Sequence, residues 1–71
     1  MMSAFNNHQH SIQDRVIREA ERLQITSISR SQAYQLEKQG RFPKRLRLGS
    51  RSVGWRLSEI MSWVNDRAME I

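Results

Sequence analysis

Ser29-Arg30-Ser31-Gln32-Ala33-Tyr34-Gln35-Leu36-Glu37-Lys38-Gln39-Gly40 carries its own start and stop signals for a short helix. Ser29 is placed to cap it. Gln32, three residues on, can reach back to the Ser29 N–H, which makes an S-x-x-Q capping box. Gly40 can take the left-handed conformation that closes a helix, and Pro43 prevents a restart. At about 100° per residue, Ala33 and Leu36 share one side, with Ser29 and Gly40 near the same line. Ser31, Gln35 and Lys38 occupy the opposite side, flanked by Tyr34. That face is rich in donors, uncharged in its middle and free of carboxylates. Such a face suits base edges in a major groove, although an ordinary solvated helix can present the same residues.

The surrounding charge separates the two readings. From Lys38 to Arg56 the basic residues are Lys38, Arg41, Lys44, Arg45, Arg47, Arg51 and Arg56, with no Asp or Glu among them. The acidic residues, Asp14, Glu19, Glu21, Glu37, Glu59, Asp66 and Glu70, lie elsewhere. The net charge of +5 is therefore concentrated in one segment. That distribution is the footprint of a polyanion binder.

Seventy-one residues make one domain with a small core. The chain has no cysteine, so disulfides, thiolate catalysis and the usual zinc-finger ligands are excluded. This composition is compatible with a reducing cytoplasm, which is the expected location. No apolar run approaches the length needed to span a bilayer, and no signal peptide with a hydrophobic centre is present, so no membrane partner is expected.

Residues 1–10 are polar and unpatterned and read as a disordered tail. His8 and His10 form an H-x-H pair, but nothing nearby completes a metal site. No cofactor is expected. Residues 11–71 form the domain. Ser11 could cap a first helix, with Asp14 three residues later, and Ile12, Val16, Ala20 and Leu23 mark one apolar stripe. Asp14–Arg18 and Glu21 near Arg18 supply possible pairs. This helix falls within residues 12–24; in a variant only about 19–24 is helical and Arg15 to Arg18 is extended. Gln24 to Ile28 then forms a tight turn that buries Ile25 and Ile28, giving a helix-turn-helix.

After Gly40 the apolar period changes from about 3.6 to 2. Arg45-Leu46-Arg47-Leu48 and Val53-Gly54-Trp55-Arg56-Leu57 alternate, with Gly49-Ser50-Arg51-Ser52 between them, which predicts a hairpin. Leu46, Leu48, Val53, Trp55 and Leu57 would face the core. Arg45, Arg47 and Arg56 would face out, with Arg51 at the tip. Ser58 caps a third helix with Glu59 in its first turn. Ile60, Trp63, Val64 and Ala68 are its inward stripe, and Trp63 is the expected anchor across the helix pair. The expected core holds Ile28, Leu36, Leu48, Trp55, Ile60, Trp63 and Val64. The fold class is mostly α with a small β-hairpin: a winged helix-turn-helix of three helices and a two-stranded antiparallel wing.

Several stretches in order resemble one family. They are Thr26-Ser27-Ile28-Ser29-Arg30-Ser31-Gln32-Ala33-Tyr34-Gln35-Leu36, Gly40-Arg41-Phe42-Pro43-Lys44, Leu48-Gly49-Ser50-Arg51-Ser52-Val53-Gly54-Trp55, Ser58-Glu59-Ile60 and Trp63-Val64. Over residues 26–64 the chain is similar to AlpA-type prophage regulators, which resemble excisionases and MerR-type winged helix-turn-helix proteins. It departs from the family pattern at Ser27, where a turn glycine is usual, and at Ala33, where Ile is usual. It also departs at Gln35, where a basic residue is common, and at Arg22, where an apolar residue is usual. The resemblance implies a DNA-binding protein of a prophage or genomic island. Such a protein regulates transcription of an integrase gene, or binds beside attachment sites and turns a tyrosine-type integrase toward excisive DNA recombination.

On the residues themselves, the expected mode places the Ser29–Gln39 helix in the major groove of double-stranded DNA. Arg30, Ser31, Gln32, Tyr34, Gln35 and Lys38 would contact bases or flanking phosphates. Arg41, Lys44, Arg45, Arg47, Ser50, Arg51 and Ser52 form the wing and backbone set, with Arg51 able to enter a narrow minor groove. Five phosphate contacts imply a log–log salt slope of about −4.5. So small a footprint calls for self-association, bending or integrase contacts. The rival is a protein-interaction module that docks an integrase or regulator and binds DNA only non-specifically. RNA binding is disfavoured because the chain lacks an aromatic stacking platform. No enzyme is expected: there is no paired-carboxylate, P-loop or triad arrangement.

Overall fold

The computed structural model describes residues 14–69, with side chains through residue 67. The tail, His8, His10, Ser11 and Ile12 lie outside the described residues, as does the side chain of Ala68. Strand β1 is Val16–Ile17, helix α1 Glu19–Thr26, helix α2 Arg30–Lys38, strand β2 Leu46–Arg47, strand β3 Val53–Arg56 and helix α3 Leu57–Met69. This is a winged helix-turn-helix in which the ribbon has gained a third strand. The sheet order is β1-β3-β2 with both pairings antiparallel. Among the described residues no helix is long and apolar enough to cross a membrane.

The structure takes the second of the two arrangements left open for the first helix. Val16 and Ile17 pair with Arg56 and Trp55, and the Leu57 N–H extends the ladder to the Arg15 carbonyl. The stripe of Val16, Ala20 and Leu23 is not buried. Val16 and Leu23 are 42% and 45% exposed, and Ala20 also faces solvent. The spacing mimics a helix, but strand pairing with β3 decides the conformation. The expected ion pairs regroup as well. Arg15 pairs with Glu21 across the β1–α1 corner, and its hydrogen bond holds the Glu21 carboxyl below the usual carboxylate range. Asp14 meets Arg56 at 3.7 Å.

The core consists of Ile17, Ala33, Phe42, Trp55 and Ile60. Ile25, Ile28, Tyr34, Leu36, Val53, Leu57 and Trp63 pack around it, and Val64 is half-buried. Several corrections concern the ribbon and α3. Leu48 is 45% exposed and lies outside the core. The hairpin forms, but its register pairs Leu46 with Gly54 and Arg47 with Val53. Paired side chains share a face, so Arg47 stands on the Val53 and Trp55 face, and Leu46 and Leu48 stand on the other. Ser58 does not cap α3, because β3 runs straight into the helix at Leu57. Its hydroxyl instead donates to Asp14 Oδ1 at 2.6 Å, tying the start of the domain to the first turn of α3. Trp63 is a flank of the core rather than its centre. Its Nε1 donates to the Arg41 carbonyl at 2.9 Å, and Phe42 meets its ring edge-on at 5.0 Å.

Candidate nucleic-acid interface

Helix α2 forms as its local signals require. Ser29 is extended (φ −67°, ψ 163°) and its Oγ accepts from the Gln32 N–H at 3.1 Å, the Ser29 half of the capping box. At the other end Gly40 has φ +73°. The Gly40 N–H donates to the Glu37 carbonyl and the Arg41 N–H to the Leu36 carbonyl, at 3.0 and 2.8 Å. That pair of bonds is a Schellman closure. Ala33 is buried and Leu36 half-buried, which turns Arg30, Ser31, Gln32, Gln35 and Lys38 outward, all exposed.

The turn before α2 is held by a residue that sequence reasoning left out of the site. Arg22 is fully buried, although Arg is almost never buried without partners. Its Nε donates to Glu19 Oε1 at 3.1 Å and its Nη2 pairs with Glu19 Oε2. Its Nη1 donates to Thr26 Oγ1 at 3.0 Å and to the Ile28 carbonyl at 2.8 Å. The guanidinium also lies 5.7 Å from the Trp55 ring centroid. Four donor contacts thus span α1, the turn and the entry to α2. The only signal in the sequence was negative: a charged residue where the family pattern is apolar. Ser27, at the glycine position of that pattern, nevertheless takes the left-handed conformation (φ 63°, ψ 12°) and its N–H closes α1 on the Leu23 carbonyl.

Tyr34 organises the basic residues beside α2. The Arg45 guanidinium lies 4.1 Å from its ring centroid and that of Arg30 5.5 Å. Arg45 Nε also pairs with Glu37 at 2.9 Å. Burial pushes the Tyr34 hydroxyl up, but hydrogen bonds and charge from Arg45 and Arg30 outweigh it, so its pKa lies below the ordinary value. The same hydrogen bond to Tyr34, with Glu37 nearby, raises the pKa of Arg45. The face therefore brings Arg30, Tyr34 and Arg45 together, with Arg47 on the ribbon face that carries Val53. Ser50 and Arg51 are exposed in the wing turn and Ser52 is half-buried there. Arg41 and Lys44 are placed differently. They line a groove of about 680 Å³ against Trp63, Glu59, Asp66 and Arg67.

A short, capped, donor-rich helix beside a basic ribbon is a geometry that meets duplex DNA. Comparison with known proteins agrees with it. Residues 15–68 match the family described as prophage CP4-57 regulatory protein (AlpA). The chain belongs to the AlpA family of prophage regulatory proteins. It is also similar to a protein of Enterobacteria phage P4 described as uncharacterized protein ORF88, at 36% identity over 55 residues. That match covers 78% of this chain and 62% of the phage protein. Membership in this family of prophage regulatory proteins implies a DNA-binding regulator. The family match includes Arg22, Ser27 and both strands of the wing, so the departures from the family pattern lie inside the shared fold.

Proposed function

We infer that the chain prefers particular duplex sites of a mobile element, acting as an excisionase, as a transcriptional regulator of an integrase gene, or as both. The observation that carries this reading is the exposed row Arg30, Ser31, Gln32, Gln35 and Lys38 on a helix whose two ends are both closed. Gln32 and Gln35 offer the amide geometry that pairs with adenine, and Arg30 that for guanine or a phosphate. Lys38 and the wing arginines supply sequence-independent attraction to the backbone. A single copy covers little DNA, so discrimination rests on neighbouring copies or on contact with an integrase.

A gel-shift with competitor DNA tests this. The probes are the attachment-site arms of the host element, the promoter of its integrase gene and shuffled duplex. Preferential, ladder-like shifts on an arm support cooperative assembly and excision. Preference for the promoter supports transcriptional control. Equal weak binding to all three removes sequence preference and favours a module that docks an integrase directly.

A further inference from the structure

The sequence offered Arg18 only as an ion-pair partner for Asp14 or Glu21; those carboxylates pair with Arg56 and Arg15 instead, and the structure gives Arg18 a different place. It sits at the corner between β1 and α1 with an extended backbone (φ −103°, ψ 179°), and its Nε donates to the Val53 carbonyl at 3.0 Å. That bond fixes the guanidinium against the first residue of β3. The side chain then lines a cavity of about 300 Å³ together with Arg30, from the first turn of α2, and Arg51, from the wing turn. Tyr34 and Glu19 also line it. The Glu19 carboxylate is already engaged by Arg22. Among the described residues none of the three arginines pairs with a carboxylate. Three like charges from three separate elements repel one another, and an anion between them relieves that repulsion. Guanidinium forks match the oxygens of a phosphate in geometry as well as in charge.

We propose that Arg18, Arg30 and Arg51 together hold one backbone phosphate of duplex DNA. The proposal rests on the DNA-binding reading above and deepens it. It makes Arg18 a binding residue and gives the wing arginine a phosphate rather than the minor groove. Anchored at this junction, one phosphate sets the position of α2 along the groove, because the same clamp includes the first residue of that helix.

The test is fluorescence anisotropy with the full chain and two labelled random duplexes, one A·T-rich and one G·C-rich, between about 50 and 200 mM salt. The variants are Arg18→Gln, Arg51→Ala and their combination. Arg18→Gln keeps an N–H donor for the Val53 carbonyl but removes the charge. It should weaken binding to both duplexes about tenfold with little change in the salt slope, because Arg30 and Arg51 still neutralise the shared phosphate. The double variant should lose less than the product of the single losses, because the two arginines share one phosphate. Binding by Arg18→Gln within about twofold of wild type overturns the clamp and leaves DNA binding standing. Losses that multiply independently, or an Arg51→Ala loss confined to the A·T-rich duplex, also overturn it. Wild-type protein that binds neither duplex overturns both readings. Should Arg18→Gln fail to fold, Arg51→Ala, in an exposed turn, carries the comparison between duplexes.

Discussion

Ser27, in the turn between α1 and α2, and the Arg22–Glu19 pair of α1 set limits on the stability of this corner. Ser27 holds a left-handed conformation that costs a residue with a Cβ about 1–2 kcal/mol, part of which glycine returns through its greater freedom in the unfolded chain. Ser27→Gly should therefore stabilise the domain by about 0.5–1 kcal/mol and raise Tm by a few degrees. A lower or unchanged Tm would show that the turn carries no strain there. Arg22 and Glu19 make the opposite case. Glu19→Ala leaves a cation buried without its counter-charge and should cost about 3 kcal/mol. Arg22→Met removes that cation, keeps most of the volume and returns the Glu19 carboxylate, already 37% exposed, to water, so it should cost less. Urea unfolding reads both, and the reverse order would contradict a desolvated arginine at this turn.

The elements differ in how much they owe to local signals. Helix α2 needs only its Ser29 cap and Gly40 closure, both visible as residue types at the right spacing. The sheet depends on a close approach that no local pattern announces. A Cβ on Gly54 would stand 2.8 Å from the Ile17 carbonyl oxygen, 2.8 Å from Val16 Cγ1 and 3.0 Å from Leu48 Cδ1. The two side chains can move, but the carbonyl belongs to β1. Gly54→Ala should destabilise the domain by about 1–3 kcal/mol and speed amide exchange across the β1–β3 pairing. Adding Leu48→Ala should not restore it. Full rescue would mean that side-chain crowding, not the backbone, excludes a larger residue.

For the whole molecule, the docking of the ribbon beside α2 can be followed through Tyr34, the only tyrosine in the chain. Absorbance titration should place its ionisation below the ordinary value near 10, and Arg45→Gln should move it back up. The sign of the linked stability follows from the lowered folded-state pKa. The contribution is present in full above the unfolded value and is lost as pH falls through the folded one. Wild type should thus gain Tm relative to Tyr34→Phe as pH rises through that window. A flat difference would show that Arg45 does not hold the ribbon to the helix through this phenol.

Helix α2, the hairpin and the concentration of positive charge were determined by the sequence itself, because caps, turn formers and alternation act between residues a few positions apart. The third strand, the face of the ribbon and the buried arginine were decided by tertiary structure. Val16 and Ile17 are extended because β3 offers them hydrogen bonds, although Val16, Ala20 and Leu23 are spaced as in a helix. Leu46 and Leu48 face away from Trp55 because the register pairs Leu46 with Gly54, and slipping by one residue reverses every side chain. Arg22 is buried because Glu19, Thr26 and the Ile28 carbonyl converge on it only once the turn has closed. Arg18, Arg30 and Arg51 are likewise separate charges along the chain, and folding is what brings them around one cavity.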